Sequence, residues 1–255
     1  MWRWIKRLFL ALLILLALAG GGLYLMLPRI SQLKDQNPAT TSLMEARAQE
    51  AQSRGEQPKR VQTWVPLEKI SPNLQRAVLA GEDTNFATHH GFDYEAIQRA
   101  WEEAQRESEK EAKQEGDDQS SWIPQMPTFK RGASTISQQL AKNLYLSTER
   151  SFFRKGQEAV ITYFLEHELS KRRILEIYLN VIEWGDGIYG AEAASQFYFH
   201  KPAANLSVNE AAYLSAMIPS PLNIFNPQKN PKRVVRRQRV ILRGMPYVKM
   251  PQGTG

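Results

Sequence analysis

Between Leu8 and Leu27 the chain carries twenty consecutive residues with no charge and no strongly polar side chain. At a helical rise of about 1.5 Å per residue this run spans roughly 30 Å, the thickness of a bilayer's hydrocarbon core. Arg3, Lys6 and Arg7 precede it, and Trp2, Trp4 and Tyr24 are placed for the two interfaces. Basic residues stay on the cytoplasmic side, so the N-terminus is expected inside and residues 28–255 outside. The competing reading is a cleaved signal peptide, because Ala17-Leu18-Ala19 resembles a small-residue cleavage site. The apolar run continues for eight residues past Ala19, which favours a retained anchor. Either reading exports residues 28–255. The expected division is a cytoplasmic tip at 1–7, a transmembrane anchor at 8–27, a stalk at 28–60, one domain at 61–245 and a tail at 246–255.

The exported part is long enough for one well-packed domain, and the whole chain's 42% of hydrophobic residues makes a core affordable. A net charge of +7 points to an anionic partner: nucleic acid, an anionic membrane surface or a phosphorylated substrate. Export removes nucleic acid from that set. The chain has no cysteine, which excludes disulfides, thiolate metal sites and a cysteine nucleophile.

The pattern is mainly α, with no run of alternating strands and no internal repeat. Ser71-Pro72 places an N-cap before a proline at the first helical position, and Leu74 and Val78 lead to a helix end at Gly81-Glu82. A second helix is predicted from Asp93, with Ile97 and Trp101 four apart. Past Trp101 it fades into the charged stretch EEAQRESEKEAKQEGDDQ, a solvated extension or insert over about 103–122. Trp122-Ile123-Pro124 and Met126-Pro127 read as an apolar loop. Ser134 is expected to cap a helix through Leu144, followed by helices over 152–169 and from Ser170. Ser207 and Glu210 form a capping box opening a helix through Met217. In the last part Lys229, Lys232, Arg233, Arg236, Arg237, Arg239 and Arg243 occur with no acid between them, suiting a helix against anionic headgroups or packed on the domain.

Ionisable groups concentrate in AGEDTNFATHHGFD, residues 80–93. Adjacent histidines diverge on a helix or a strand, so His89-His90 is a poor chelating pair, and no H-E-x-x-H spacing exists. A serine hydrolase lacks its G-x-S-x-G elbow and its S-x-x-K motif. The carboxylates remain. Glu82 follows an apolar helix and is expected half-buried, which raises its pKa toward that of a useful base. Glu158 has Arg154 four and Lys155 three residues before it, so both cations share its helix face. That spacing is equally that of an ordinary surface ion pair. Between them runs KRGASTISQQLAKNLYLSTERSFFRK, residues 130–155. Gly132 and Ser134 open a helix whose N-terminal amides accept an anion. Gln138 and Lys142 share a face, and Gln139 lies beside Lys142. Two carboxylates among cations suit transfer of a sugar from a pyrophosphate.

The segments EDTNFATHHGFD (82–93), GASTISQQLAKNLYL (132–146), RKGQE (154–158), RRILEIYLNVIEWGDGIYGAEAASQFYF (172–199) and NEAAYLSAMIPSPLNIFNP (209–227) resemble, in order, the motifs of the peptidoglycan glycosyltransferases, family 51. The residues after 243 leave no room for a transpeptidase domain, so the resemblance is to the monofunctional biosynthetic form. It implies a lysozyme-like helical domain on one membrane anchor, facing the periplasm, that polymerises lipid II. Glu82 would be the general base and Glu158 the second glutamate, acting at the donor side or orienting the pyrophosphate. Gln139, Lys142 and Arg150 match residues that grip the diphosphate and sugars. Asp83, Ser134, Gln138, Asn143, Arg154 and Lys155 complete the expected substrate-binding set, while Asp83, His89 and Asp93 shape the loop around Glu82. The implied partners are lipid II, the growing strand, the membrane and other cell-wall synthesis and division proteins. The only cofactor implied is a divalent cation such as Mg²⁺ at the diphosphate, without an all-protein cage. Two features depart from the family pattern: the charged insert, and Ala133 where glycine is common.

Two rivals remain on these residues. A lysozyme-like muramidase would use the same paired carboxylates with water as acceptor. An anchored scaffold with a degenerate site would use the charged insert to recruit partners.

Overall fold

The computed structural model describes residues 2, 4, 6, 7, 9, 10, 28–114, 134–147 and 151–252. The expected anchor at 8–27 lies almost wholly outside them, as do Trp122 to Pro127 and Ala133. Among the described residues no helix is long and apolar enough to cross a membrane. The fold is mainly α. Its helices are α1 (Ser42–Ser53), α2 (Pro72–Glu82), α3 (Tyr94–Gln114), α4 (Ile136–Tyr145), α5 (Phe152–Glu168), α6 (Lys171–Val181), α7 (Ala191–Phe199), α8 (Val208–Met217) and α9 (Pro231–Gly244).

Local chemistry explains most of the boundaries. Ser71 Oγ accepts from Asn73 N–H and Pro72 occupies the first turn of α2. Ser170 caps α6, and Ser207 with Glu210 forms the expected capping box of α8. One cap differs from expectation. Helix α4 is capped by Thr135, not Ser134, in a box closed by Gln138. Thr135 is preferred because it is buried and its hydroxyl also donates to the Gly91 carbonyl at 2.7 Å, an anchor that Ser134 does not have. Asp93 Oδ1 accepts from Ala96 N–H at 2.8 Å and so starts α3, which carries the charged stretch as far as Gln114; the rest of the expected insert lies outside the described residues.

Helix α2 is the centre of one half. Leu74, Ala77, Val78 and Leu79 are fully buried, and α8 and α9 pack on it. The approach is close: a Cβ on Gly81 would sit 2.8 Å from Ser215 Oγ and 3.1 Å from Ile241 Cδ1, so a larger residue would have to push those side chains aside. Ser215 Oγ ties α8 to α2 by donating to the Ala77 carbonyl at 2.8 Å. In the other half α4 packs against α5, α6 and α1.

One expectation needs correction. Residues 28–60 are not a free stalk, because Ile30, Leu33 and Met44 enter the common core, Arg173 Nε donates to the Leu33 carbonyl at 2.7 Å and α1 lies against α4. A small sheet also exists, in the order β1-β3-β2: β1 (Val61–Gln62), β2 (Glu183–Gly185) and β3 (Ile188–Tyr189). β1 runs parallel to β3 and β2 antiparallel to it. Strands of two or three residues are too short to show alternation in a sequence. The sheet is held by tertiary bonds such as Trp184 Nε1 to the Leu214 carbonyl at 3.0 Å.

Candidate active site

Glu82 is the last residue of α2, with Asp83 breaking the helix in an extended conformation. Its side chain is 8% exposed. One oxygen accepts from Gln139 Nε2 at 3.0 Å and the other from Arg237 Nη2 at 2.8 Å. Gln139 is itself oriented by Tyr178, whose hydroxyl donates to its Oε1 at 2.9 Å. Burial raises the Glu82 pKa above the ordinary carboxylate value, with Arg237 and Gln139 pulling the other way. The tight seat of Gly81 against α8 and α9 holds this carboxylate beside Arg237.

Asp83 lies beneath the site, 6% exposed. One oxygen accepts from Ile136 N–H at 2.9 Å, at the N-terminus of α4, and His89 Nε2 lies 3.0 Å from both. His89 Nδ1 accepts from Gly91 N–H at 3.1 Å, so the neutral ring carries its proton on Nε2 and donates it to Asp83. Asn85 Nδ2 donates to Asp93 Oδ2 at 2.8 Å. The polar stretch after Glu82 is thus knitted to itself and to α4, and His90 is exposed.

Glu158 sits on α5 and is 3% exposed. Arg154 Nη1 lies 3.3 Å from its Oε2, and Lys155 Nζ bonds its Oε1. The spacing that fitted a surface pair therefore produces a buried carboxylate with two cations. Lys142 lines a groove from α4 and keeps part of its surface exposed. Burial lowers its pKa, while Glu158 and, more weakly, Glu82 raise it. That groove, of about 380 Å³, runs past Gln139, Lys142, Asn143 and Arg154 to the Pro219–Pro221 turn. The Arg154 Nε–H, buried beside it, has no hydrogen-bond partner among the described residues, and is a donor left for an anionic oxygen.

The other expected residues are placed unevenly. Gln138 is buried, and its Oε1 accepts from Thr135 N–H at 2.9 Å, which makes it part of the helix cap. Ser134 is half-buried and Arg150 lies outside the described residues. Arg237 and Tyr178 were not anticipated. The single sequence signal for Arg237 is that it falls on the apolar face of α9, three residues after Val234 and four before Ile241, both buried. Among the described residues no group of three or more His, Asp or Glu is placed to hold a metal ion. Both glutamates are held by cationic side chains, so neither offers a free oxygen set to Mg²⁺.

A family profile described as Transglycosylase matches residues 48–116 and 121–246. A "Biosynthetic peptidoglycan transglycosylase" of Azoarcus sp. (strain BH72) is 45% identical over 221 residues, covering 87% of this chain and 86% of the relative. A protein of the same name from Laribacter hongkongensis (strain HLHK9) is 42% identical over 252 residues, covering 98% of this chain and 100% of the relative. A third, from Thiobacillus denitrificans (strain ATCC 25259 / T1), is 45% identical over 218 residues, covering 86% of this chain and 85% of the relative.

Proposed function

The chain belongs to the transglycosylase family and is a peptidoglycan glycosyltransferase; from that premise we propose how its residues divide the reaction. Glu82 takes the proton from the 4-hydroxyl of the acceptor's GlcNAc as that oxygen bonds to C1 of the donor's MurNAc. The C1–O bond to the lipid diphosphate breaks on the opposite face, its electron pair leaving with the phosphate oxygen. The anomeric centre inverts and a β-1,4 link results. Lys142 and Arg154 meet the charge that develops on the diphosphate, and Glu158 holds Arg154 and Lys155 in place for it. Gln139 and Arg237 orient the base. The observation that carries this reading is the buried Glu82 carboxylate, held by Gln139 at 3.0 Å and Arg237 at 2.8 Å, with Gln139, Lys142 and Arg154 lining one groove.

Glu82 and Glu158 are engaged by Arg237 and by Arg154 and Lys155, so a divalent cation would be brought by the substrate rather than held by these carboxylates, and would supply charge neutralisation for the leaving group. The work of such an enzyme places it in the cell envelope. We read residues 8–27 as its single inner-membrane anchor, with the N-terminus cytoplasmic and the helical domain periplasmic.

Two substrates test the reading. Lipid II should yield a gel-resolved ladder of glycan strands, with and without added Mg²⁺ distinguishing a need for the cation. Finished peptidoglycan should be untouched. Fragments from the second and no polymer from the first would make the protein a hydrolase.

Arg237 supplies a second test. It favours the ionised form of Glu82, so Arg237→Gln should raise the Glu82 pKa further. The base works only when deprotonated. The acid limb of kcat/KM should therefore move to higher pH, and activity at neutral pH should fall. A limb that stays in place would separate Arg237 from the base.

A further inference from the structure

Helix α9 has two unlike faces. Val234 and Ile241 are buried against the core. On the opposite face Lys232, Arg236, Arg239 and Arg243 recur at i, i+4, i+7 and i+11, and all four are exposed. At 3.6 residues per turn this spacing makes one straight stripe, about 16 Å long. None of the four meets a carboxylate among the described residues. The sequence supplies the reason, because from Ala211 to Gly255 it holds no Asp or Glu.

Like charges three and four residues apart weaken the helix that carries them. Helix α3 shows the usual form of a solvated face: Arg99 is set against Glu95, and Arg106 against Glu102, at that same spacing. On α9 the compensating anions are left to come from outside the chain. The borders of the stripe indicate which anions. Val235 and Val240 flank it and are 37% and 55% exposed, and Tyr247, just past the helix, is 86% exposed. A soluble polyanion gains nothing from these side chains. The headgroup layer of a bilayer takes both kinds, cations at the phosphates and apolar groups at the acyl boundary. Tyrosine is a residue of that interface. A straight row on a convex helix also suits a flat sheet of charge, whereas singling out one phosphate needs a pocket.

We infer that the outer face of α9 is a docking surface for anionic phospholipid and lays this side of the domain on the membrane. The inference takes from the reading above only that the domain works beside a bilayer. It needs neither the anchor at 8–27 nor the division of catalytic roles. Arg237, on the inner side of the same helix, touches Glu82, so the lipid contact and the base are held by opposite sides of α9.

The chain has no cysteine, so Val240→Cys takes a single environment-sensitive dye. The labelled full chain is placed in nanodiscs of phosphatidylcholine, with or without phosphatidylglycerol, each holding a lipid with a nitroxide quencher on its headgroup. Quenching should be several-fold stronger in the anionic discs. It should fall away in about 1 M salt, where the Debye length is about 3 Å. Lys232→Gln, Arg236→Gln, Arg239→Gln and Arg243→Gln together should abolish the difference between the discs. Arg236→Lys, Arg239→Lys and Arg243→Lys together, which keep the charge, should preserve it. The four-Gln variant loses a self-repelling row and should melt at or above the wild-type temperature. Equal quenching in both discs, or a difference that survives the four Gln substitutions, would overturn the assignment. So would a dye that ignores both lipids and responds to added polyglutamate, which would give the row to an acidic protein. Retention of the chain in neutral discs reports separately on the anchor, and polymer from lipid II on the glycosyl-transfer reading, so each can fail without the others.

Discussion

Glu82→Gln should lower polymerisation of lipid II by about 10²- to 10⁴-fold, the range a positioned general base supplies. The amide keeps the shape of the side chain and a hydrogen bond to Gln139, but it cannot accept the proton. Stability gives a control with a definite sign. Burial holds the folded pKa of Glu82 above its unfolded value, so the carboxylate contributes a destabilisation that appears as pH rises through the unfolded pKa and is complete above the folded one. The neutral amide removes that pH-dependent cost, although Arg237 loses an ionic partner. Glu82→Gln should therefore be inactive yet close to wild type in thermal unfolding at neutral pH. Near-normal glycan synthesis by this variant would mean that another group is the base.

Asp83→Ala should be the opposite kind of change, with a loss of about 2–4 kcal/mol in folding stability. Its carboxylate is the acceptor for Ile136 N–H at the start of α4 and the partner of His89, all in a buried setting. Truncation leaves both donors unsatisfied and removes an anion from a helix N-terminus. Because α4 also carries Gln139 and Lys142, activity should fall with stability. Asp83→Asn, which keeps an acceptor oxygen, should recover part of both. Urea denaturation decides it: an Asp83→Ala value within about 0.5 kcal/mol of wild type would show that the loop and α4 do not depend on this bond.

The legible parts of the molecule are those written within a few residues of one another. Ser71-Pro72, Ser170 and the Ser207–Glu210 box announce their helices because a cap is a local hydrogen bond. Glu158 with Arg154 and Lys155 follows from helical spacing alone. Local pattern does not separate Ser134 from Thr135, because both can cap; burial against the Gly91 carbonyl does. Nor does it distinguish residues 28–60 from a stalk, since a polar helix such as α1 shows little of the face that it buries.

What the sequence determined by itself, then, is the inventory of helices, the carboxylates at their ends and the cations spaced to meet them, because these depend on periodicity and residue type. Tertiary structure alone decided which cation meets the base. Arg237 is one of seven Lys and Arg between 229 and 243, and only its place on the face of Val234 and Ile241 sets it apart, which does not say what it meets. It reaches Glu82 because α9 packs on α2 with Val234 and Ile241 inward, across the gap that Gly81 leaves open. A contact between residues so far apart in the chain is set by how two helices pack, and that is a property of the whole core.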